Sequence, residues 1–175
     1  MRTKLALSLL AASVLAACSS APVTEQSGAA VEDRNAVKTV EAGALNTSGL
    51  SAEDLAMLRD PKNILSKRSV YFDFDNYTVK PEFKPMLEAH AKFLTARPQA
   101  KMLIQGNTDE RGSREYNLAL GQKRADAVKK TMLLLGAKEA QIESVSLGKE
   151  KPRNEGHNEA AWAENRRGDI LYQGE

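Results

Sequence analysis

Asp109, Asn117 and Arg124 are the residues of this 175-residue chain whose types and spacing could do chemistry. The stretch Gly106-Asn107-Thr108-Asp109-Glu110-Arg111-Gly112 runs straight into a segment of helical periodicity, Ser113 to Leu135. At about 100° per residue, Leu118, Leu120, Ala125, Ala127, Val128, Met132, Leu134 and Leu135 fall on one broad arc. Glu115, Gln122, Lys123, Asp126, Lys129 and Lys130 take the other side. Asn117 and Arg124 lie within about 20° of each other after two turns, and both project from the middle of the apolar arc. A guanidinium there cannot shed its proton and needs an anionic partner. The nearest is Asp109, in the loop that feeds the helix. Because the arc is cleanly apolar beyond Val128, the pattern predicts a dry body with a polar mouth at one end. The residues alone admit two readings: an ion pair that pins the loop to the helix, or a fixed acid and a fixed base facing a ligand.

The elements that must position these groups are legible on either side. Val70, Phe72 and Phe74 alternate with Tyr71, Asp73 and Asp75, which predicts a strand with one apolar face. Asn76 and Tyr77 turn the chain into a helix from Lys80 to Ala96, with Pro81 in its first turn and Phe83, Leu87, His90 and Leu94 on one stripe. His90 on that stripe reads as a satisfied core residue. Lys101 to Gly106 is a second strand, Gly136 a C-cap for the long helix, and Ile142 to Leu147 a third strand. A short helix from Glu159 to Glu164 and a strand from Gly168 to Tyr172 close the chain. Helices between short strands predict an α/β (α+β) two-layer sandwich, with helices packed on one sheet of about four strands.

Composition narrows the function. Formal charge is +2, and loss of a leader carrying Arg2 and Lys4 leaves 23 basic against 23 acidic residues. A neutral chain argues against nucleic-acid binding. With one cysteine, Cys18, and two histidines, His90 and His157, neither an internal disulfide nor a zinc site of the usual Cys/His kind is expected. No nucleophile and base stand at matching positions, and Asp73 and Asp109 are the acids expected near the mouth, so no catalytic residue and no cofactor is expected.

The first 17 residues have a basic start and a short apolar run from Leu5 to Leu15, which reads as an export signal too short to anchor in a bilayer. The ending Leu15-Ala16-Ala17-Cys18 resembles a bacterial lipobox, which implies cleavage before Cys18 and its acylation; Ser19 implies sorting to the outer membrane. Residues 18–50 then form a flexible linker rich in Ala, Ser, Thr and Glu, with a span of about 30–40 Å as a coil. Ser51-Ala52-Glu53-Asp54 starts a short helix with a capping acid; residues 51–68 are a lead-in, and residues 69–175 the folded domain.

The Gly106–Gly112 stretch, followed by Tyr116-Asn117-Leu118-Ala119-Leu120-Gly121 and Arg124-Ala125-Asp126-Ala127-Val128, resembles the OmpA-like peptidoglycan-binding family. Val70-Tyr71-Phe72-Asp73-Phe74-Asp75, Gly148-Lys149-Glu150-Lys151-Pro152 and Asn165-Arg166-Arg167 are similar to its subfamily of peptidoglycan-associated lipoproteins, part of the Tol-Pal system. That resemblance implies a mixed sheet, and a lipid-anchored outer-membrane protein whose periplasmic domain grips the cell wall without covalent chemistry. It implies TolB- and TolA-type partners, with TolB and the wall competing for one surface, in a role supporting envelope integrity and cell division. It assigns the diaminopimelate of the wall's stem peptide to Asp109 and Arg124, a second pocket wall to Phe72 and Asp73, and an orienting role to Asn117. Arg166 and Leu120 are lesser candidates. Two departures stand out. Asn107 occupies a position where the family often has His, and Gly168-Asp169 open the last strand where apolar residues are usual, which puts its pairing in question. Substituting Asp109 or Arg124 with Ala is expected to abolish wall binding with little loss of fold.

Overall fold

The computed structural model describes residues 49–174. The export signal, Cys18 and the linker up to residue 48 lie outside the described residues. In chain order come α1 (Ala52–Arg59), β1 (Ser69–Tyr71), α2 (Lys84–Thr95), β2 (Met102–Asn107), α3 (Arg114–Leu134), β3 (Ile142–Gly148), α4 (Glu159–Asn165) and β4 (Arg167–Tyr172), with short 3-10 turns between some of them. α1, α3 and α4 start where a side chain takes up a first-turn amide. Ser51 and Asp54 form a reciprocal capping box on α1, at 3.1 and 3.0 Å. Ser113 Oγ accepts from Tyr116 N at the head of α3, and Asn158 Oδ1 from Ala161 N at the head of α4. Gly136, at φ +100°, follows the end of α3 in the left-handed conformation that closes a helix.

The four strands form one mixed sheet in the order β1-β4-β2-β3. β2 runs parallel to β3, while β4 is antiparallel to both β1 and β2. Alternation along β2 buries Met102 and Ile104 and leaves Leu103 and Gln105 half-buried. On the covered face, Leu87, Leu94, Val128, Met132 and Ile170 join one core. His90 is fully buried within it, bonded to Tyr172 Oη and to the Lys67 carbonyl, both at 2.9 Å. This is the α+β sandwich the sequence predicts. No described helix is long and apolar enough to cross a membrane.

α3 crosses β2 at a glycine-on-glycine contact. A Cβ on Gly106 would stand 1.8 Å from the Gly121 carbonyl oxygen, and one on Gly121 would stand 2.3 Å from Ser146 Oγ. The absence of both side chains lets the first turns of α3 sink onto the end of β2, where the loop bearing Asp109 leaves the sheet.

The structure corrects four expectations. β1 stops at Tyr71 rather than running on to Asp75. Asp73 to Asn76 form a turn instead, with Asn76 N donating to the Asp73 carbonyl and Asp75 at φ +50°. Turn-forming Asp and Asn outrank the apolar alternation there, and Phe74 is 61% exposed. The buried face of α3 is narrower than the apolar arc. It runs through Asn117, Leu120, Gly121, Arg124, Ala125, Val128 and Met132, while Leu118 and Leu134 are exposed. Gly168 and Asp169 pair fully on both sides, with Val70 and Gly106 and with Ser69 and Gln105. Ser69 Oγ also donates to Asp169 Oδ1 at 2.7 Å, which gives the acid a partner within the sheet. Finally, Leu50 belongs to the core, not to the linker: it is fully buried, and Leu58 and Leu65 of the lead-in are buried beside it.

Candidate functional site

A cleft of about 230 Å³ opens where β2 hands over to α3. Its walls are Phe74 and Asp75 from the turn after β1, Thr108, Asp109, Arg111 and Gly112 from the loop, and Tyr116, Asn117, Leu120 and Arg124 from α3. The polar mouth and dry body predicted for the helix are therefore real: Val128 and Met132, further along, lie in the core.

Arg124 is wholly out of reach of solvent. Its guanidinium donates from Nε to the Asn76 carbonyl at 2.9 Å, from Nη1 to Asn107 O at 2.8 Å and from Nη2 to Asp73 O at 3.1 Å. It thus ties the turn after β1 to the end of β2. Of the two readings the residues admit, the one in which Asp109 and Arg124 form an ion pair is not met. Because β1 ends early, the carbonyls of Asp73 and Asn76 have no ladder partners, and the guanidinium satisfies them instead. Burial pulls the Arg124 guanidinium down to about 10, against the opposing pull of the nearby Asp109 charge, so it remains a cation at neutral pH. Three of its five N–H groups are engaged by those carbonyls.

Asp109, almost fully buried, is held by two other arginines. Arg111 forks onto it, Nε to Oδ1 at 3.1 Å and Nη2 to Oδ2 at 2.7 Å, and Arg111 N also donates to Oδ1 at 3.1 Å. Arg166 Nη1 reaches Oδ2 at 3.5 Å. Burial by itself would raise this carboxyl, but the hydrogen bonds and charge of Arg111, with Arg166, hold it below the usual aspartate range. Arg166 is locked from the other side by Phe72 O at 3.1 Å and Glu159 Oε1 at 2.7 Å.

Asn117 Nδ2 donates to Arg111 O at 2.7 Å and so fixes the loop. Phe72 and Asp73 do not line the cleft. Phe72 is 2% exposed, with its ring centroid 5.3 Å from the Arg124 Cζ, and the Asp73 carboxylate faces Lys80 at 2.7 Å. The wall expected of them is made by the next pair, Phe74 and Asp75, because the strand that would have set the alternation has already ended. Tyr116 donates from its phenol to Asp75, joining the turn to α3 across the mouth, and that bond holds the phenol above its ordinary value. The Arg111 guanidinium lies between two rings, with Cζ 4.2 Å from the Phe74 centroid and 4.1 Å from Trp162. Arg111, Tyr116, Phe74 and Asp75 are thus cleft residues that the sequence patterns did not single out. Only the turn-forming Asp75-Asn76 pair carried a signal for that wall.

Around the cleft, the long loop before α4 is pinned rather than loose. Asn165 Oδ1 accepts from Arg153 N and Asn154 N, at 2.7 and 3.0 Å, and Arg153 bonds Ser69 Oγ, Tyr71 Oη and Asp169. Lys149 donates to the carbonyls of Glu110 and Gly112, bracing the Asp109 loop from behind.

Comparison with known proteins places these features in a family. The model of the OmpA family matches residues 71–166. The chain is 39% identical to the peptidoglycan-associated lipoprotein of Legionella pneumophila over 170 residues, which span 97% of this chain and 94% of that one. It is 51% identical over 104 residues to the protein of the same name from Pasteurella multocida, spanning 59% of this chain and 69% of that one. Among solved structures, the peptidoglycan-associated lipoprotein of Burkholderia pseudomallei is 60% identical at a TM-score of 0.66, covering 67% of this chain and 99% of that chain.

Proposed function

The chain belongs to the OmpA family and, within it, to the peptidoglycan-associated lipoproteins, and from that premise we propose that it binds peptidoglycan non-covalently and tethers an outer membrane to the cell wall. The anchor is the acylated Cys18, reached through the linker that precedes the domain. The ligand is the diaminopimelate of a stem peptide. The observation that carries this reading is the cleft itself, where a buried acid, Asp109, and a buried cation, Arg124, flank one space of about 230 Å³. That space takes the end of one side chain, not a disaccharide. The free end of diaminopimelate carries an ammonium and a carboxylate. The ammonium suits Asp109, and the carboxylate suits the Arg124 guanidinium.

The work of this site is holding rather than reaction. Its acids are engaged by arginine and tyrosine, and the cleft presents no base paired with a nucleophile. The same proposal includes membership in the Tol-Pal system, exchange of the wall for TolB, and contact with TolA. The exposed rings of Phe74 and Tyr116 at the mouth supply the kind of aromatic surface a protein partner uses.

Titration of the detergent-solubilised full-length protein with a diaminopimelate-containing muropeptide, and with its lysine-containing counterpart, tests the reading. Selective binding of the first is expected. A folded protein that binds neither would return the arginines and Asp109 to a purely architectural role.

A further inference from the structure

Asp109 is not open to a ligand cation in this state. Both of its oxygens are taken by Arg111, in the forked geometry that an incoming ammonium must compete with. Resting on the peptidoglycan reading above, we propose that Arg111 is a specificity-determining residue: an internal occupant of the ammonium position, displaced efficiently only by a ligand that brings a carboxylate of its own.

The arginines around Asp109 differ in their freedom to move. Arg124 is held by three backbone carbonyls, and Arg166 by Phe72 O and Glu159. Arg111 instead keeps its side chain about one-third exposed, bonded to Asp109 at the tip and stacked between Phe74 and Trp162. Trp162 is anchored in turn by its Nε1, which donates to Glu110 at 2.9 Å. Asn117 fixes the Arg111 backbone, so the amide of Arg111 goes on capping Asp109 while the guanidinium leaves. The displaced guanidinium then needs an anion. Glu159 Oε2 lies 3.9 Å from Nη1, but its side chain is 66% exposed, and a solvated pair of that kind contributes little.

A ligand ending in an amine alone restores charge balance at Asp109 but strands Arg111. A ligand ending in an amine and a carboxylate satisfies Asp109 and offers the displaced Arg111, together with Arg124, its missing anion. Discrimination against the lysine-type peptide thus arises in part from the cation that must be moved, in addition to direct contacts with the extra carboxylate.

The test compares Kd for the two muropeptides with full-length wild type, Arg111→Ala and Arg111→Lys. In Arg111→Ala the lysine-type peptide is expected to bind about tenfold tighter than to wild type, as one charge-assisted contact no longer has to be broken. The diaminopimelate peptide changes less, so the ratio of the two affinities shrinks. Arg111→Lys keeps a cation without the fork and is expected to fall between, which decides the matter if the Ala variant folds poorly. An unchanged ratio in both variants, or a lysine-type peptide that binds more weakly, overturns the proposal for Arg111 alone. A wild type that binds neither peptide overturns it together with the peptidoglycan reading.

Discussion

Replacing Arg124 removes three hydrogen bonds at once, taking the guanidinium from the Asn76 and Asn107 carbonyls and leaving Asp73 O with the Asn76 amide. Arg124→Ala is therefore expected to cost about 3 kcal/mol of stability or more, read as a shift of the urea midpoint, in contrast to the small loss the sequence suggested. Arg124→Lys keeps the charge and one bond, so it should unfold later than the Ala variant while still losing muropeptide binding. Equal midpoints for the two would show that the carbonyl bonds contribute nothing. The sequence made Asn117 and Arg124 legible because polar groups on an apolar arc violate a periodic rule, and Asp109 legible as the nearest acid, in the loop before them. It did not show which groups they touch. A guanidinium accepts carboxylates and carbonyls alike, and the choice depended on where β1 ended, two residues short of Asp73.

Among the elements, the crossing of α3 on β2 fixes the site most tightly. Gly106→Ala would drive a methyl into the Gly121 backbone, not into a movable side chain. Such overpacking should destabilise by about 3 kcal/mol or more, seen as a large fall in Tm; a drop of only a degree or two would mean that α3 can lift off the sheet. Strands, helices and most of their bounds were readable from alternation, capping residues and glycines, since each depends on neighbours in sequence. The width of the buried face of α3 was not. Leu118 and Leu134 sit on the apolar arc yet outside the area the sheet covers, a fact set by the position of the helix over β2 and β3.

For the molecule as a whole, the boundary of the folded unit is measurable. A domain begun at residue 51 lacks Leu50 and should be less stable than one begun at 49 by about 2 kcal/mol, from the loss of one fully buried leucine. Matching melting curves would place Leu50 outside the cooperative unit. Composition alone cannot show this, because residue 50 ends a polar, small-residue stretch whose character it does not share. Acid should act on the same body. Arg97's hydrogen bond, opposed by burial and aided by Ser51, holds the Asp54 carboxyl below its ordinary value, and Asp109 is also depressed. Since the folded values lie below the unfolded value of about 3.9, their contribution is complete above that pH and is lost as pH falls through the lower folded values. Urea midpoints should drop below about pH 4, and Asp54→Asn should show a smaller drop from a lower plateau; an equal drop would assign the acid sensitivity elsewhere. The buried entry of the chain carries one more consequence. Gly49 packs against Gln99, just ahead of the first residue of β2, whereas the cleft lies past the last residue of that same strand. On the proposed reading, the anchor side of the chain and the wall-gripping cleft lie near opposite ends of β2, about 20 Å of chain bonded on both sides. A pull along that axis would shear its hydrogen bonds to β3 and β4 together instead of peeling them apart singly.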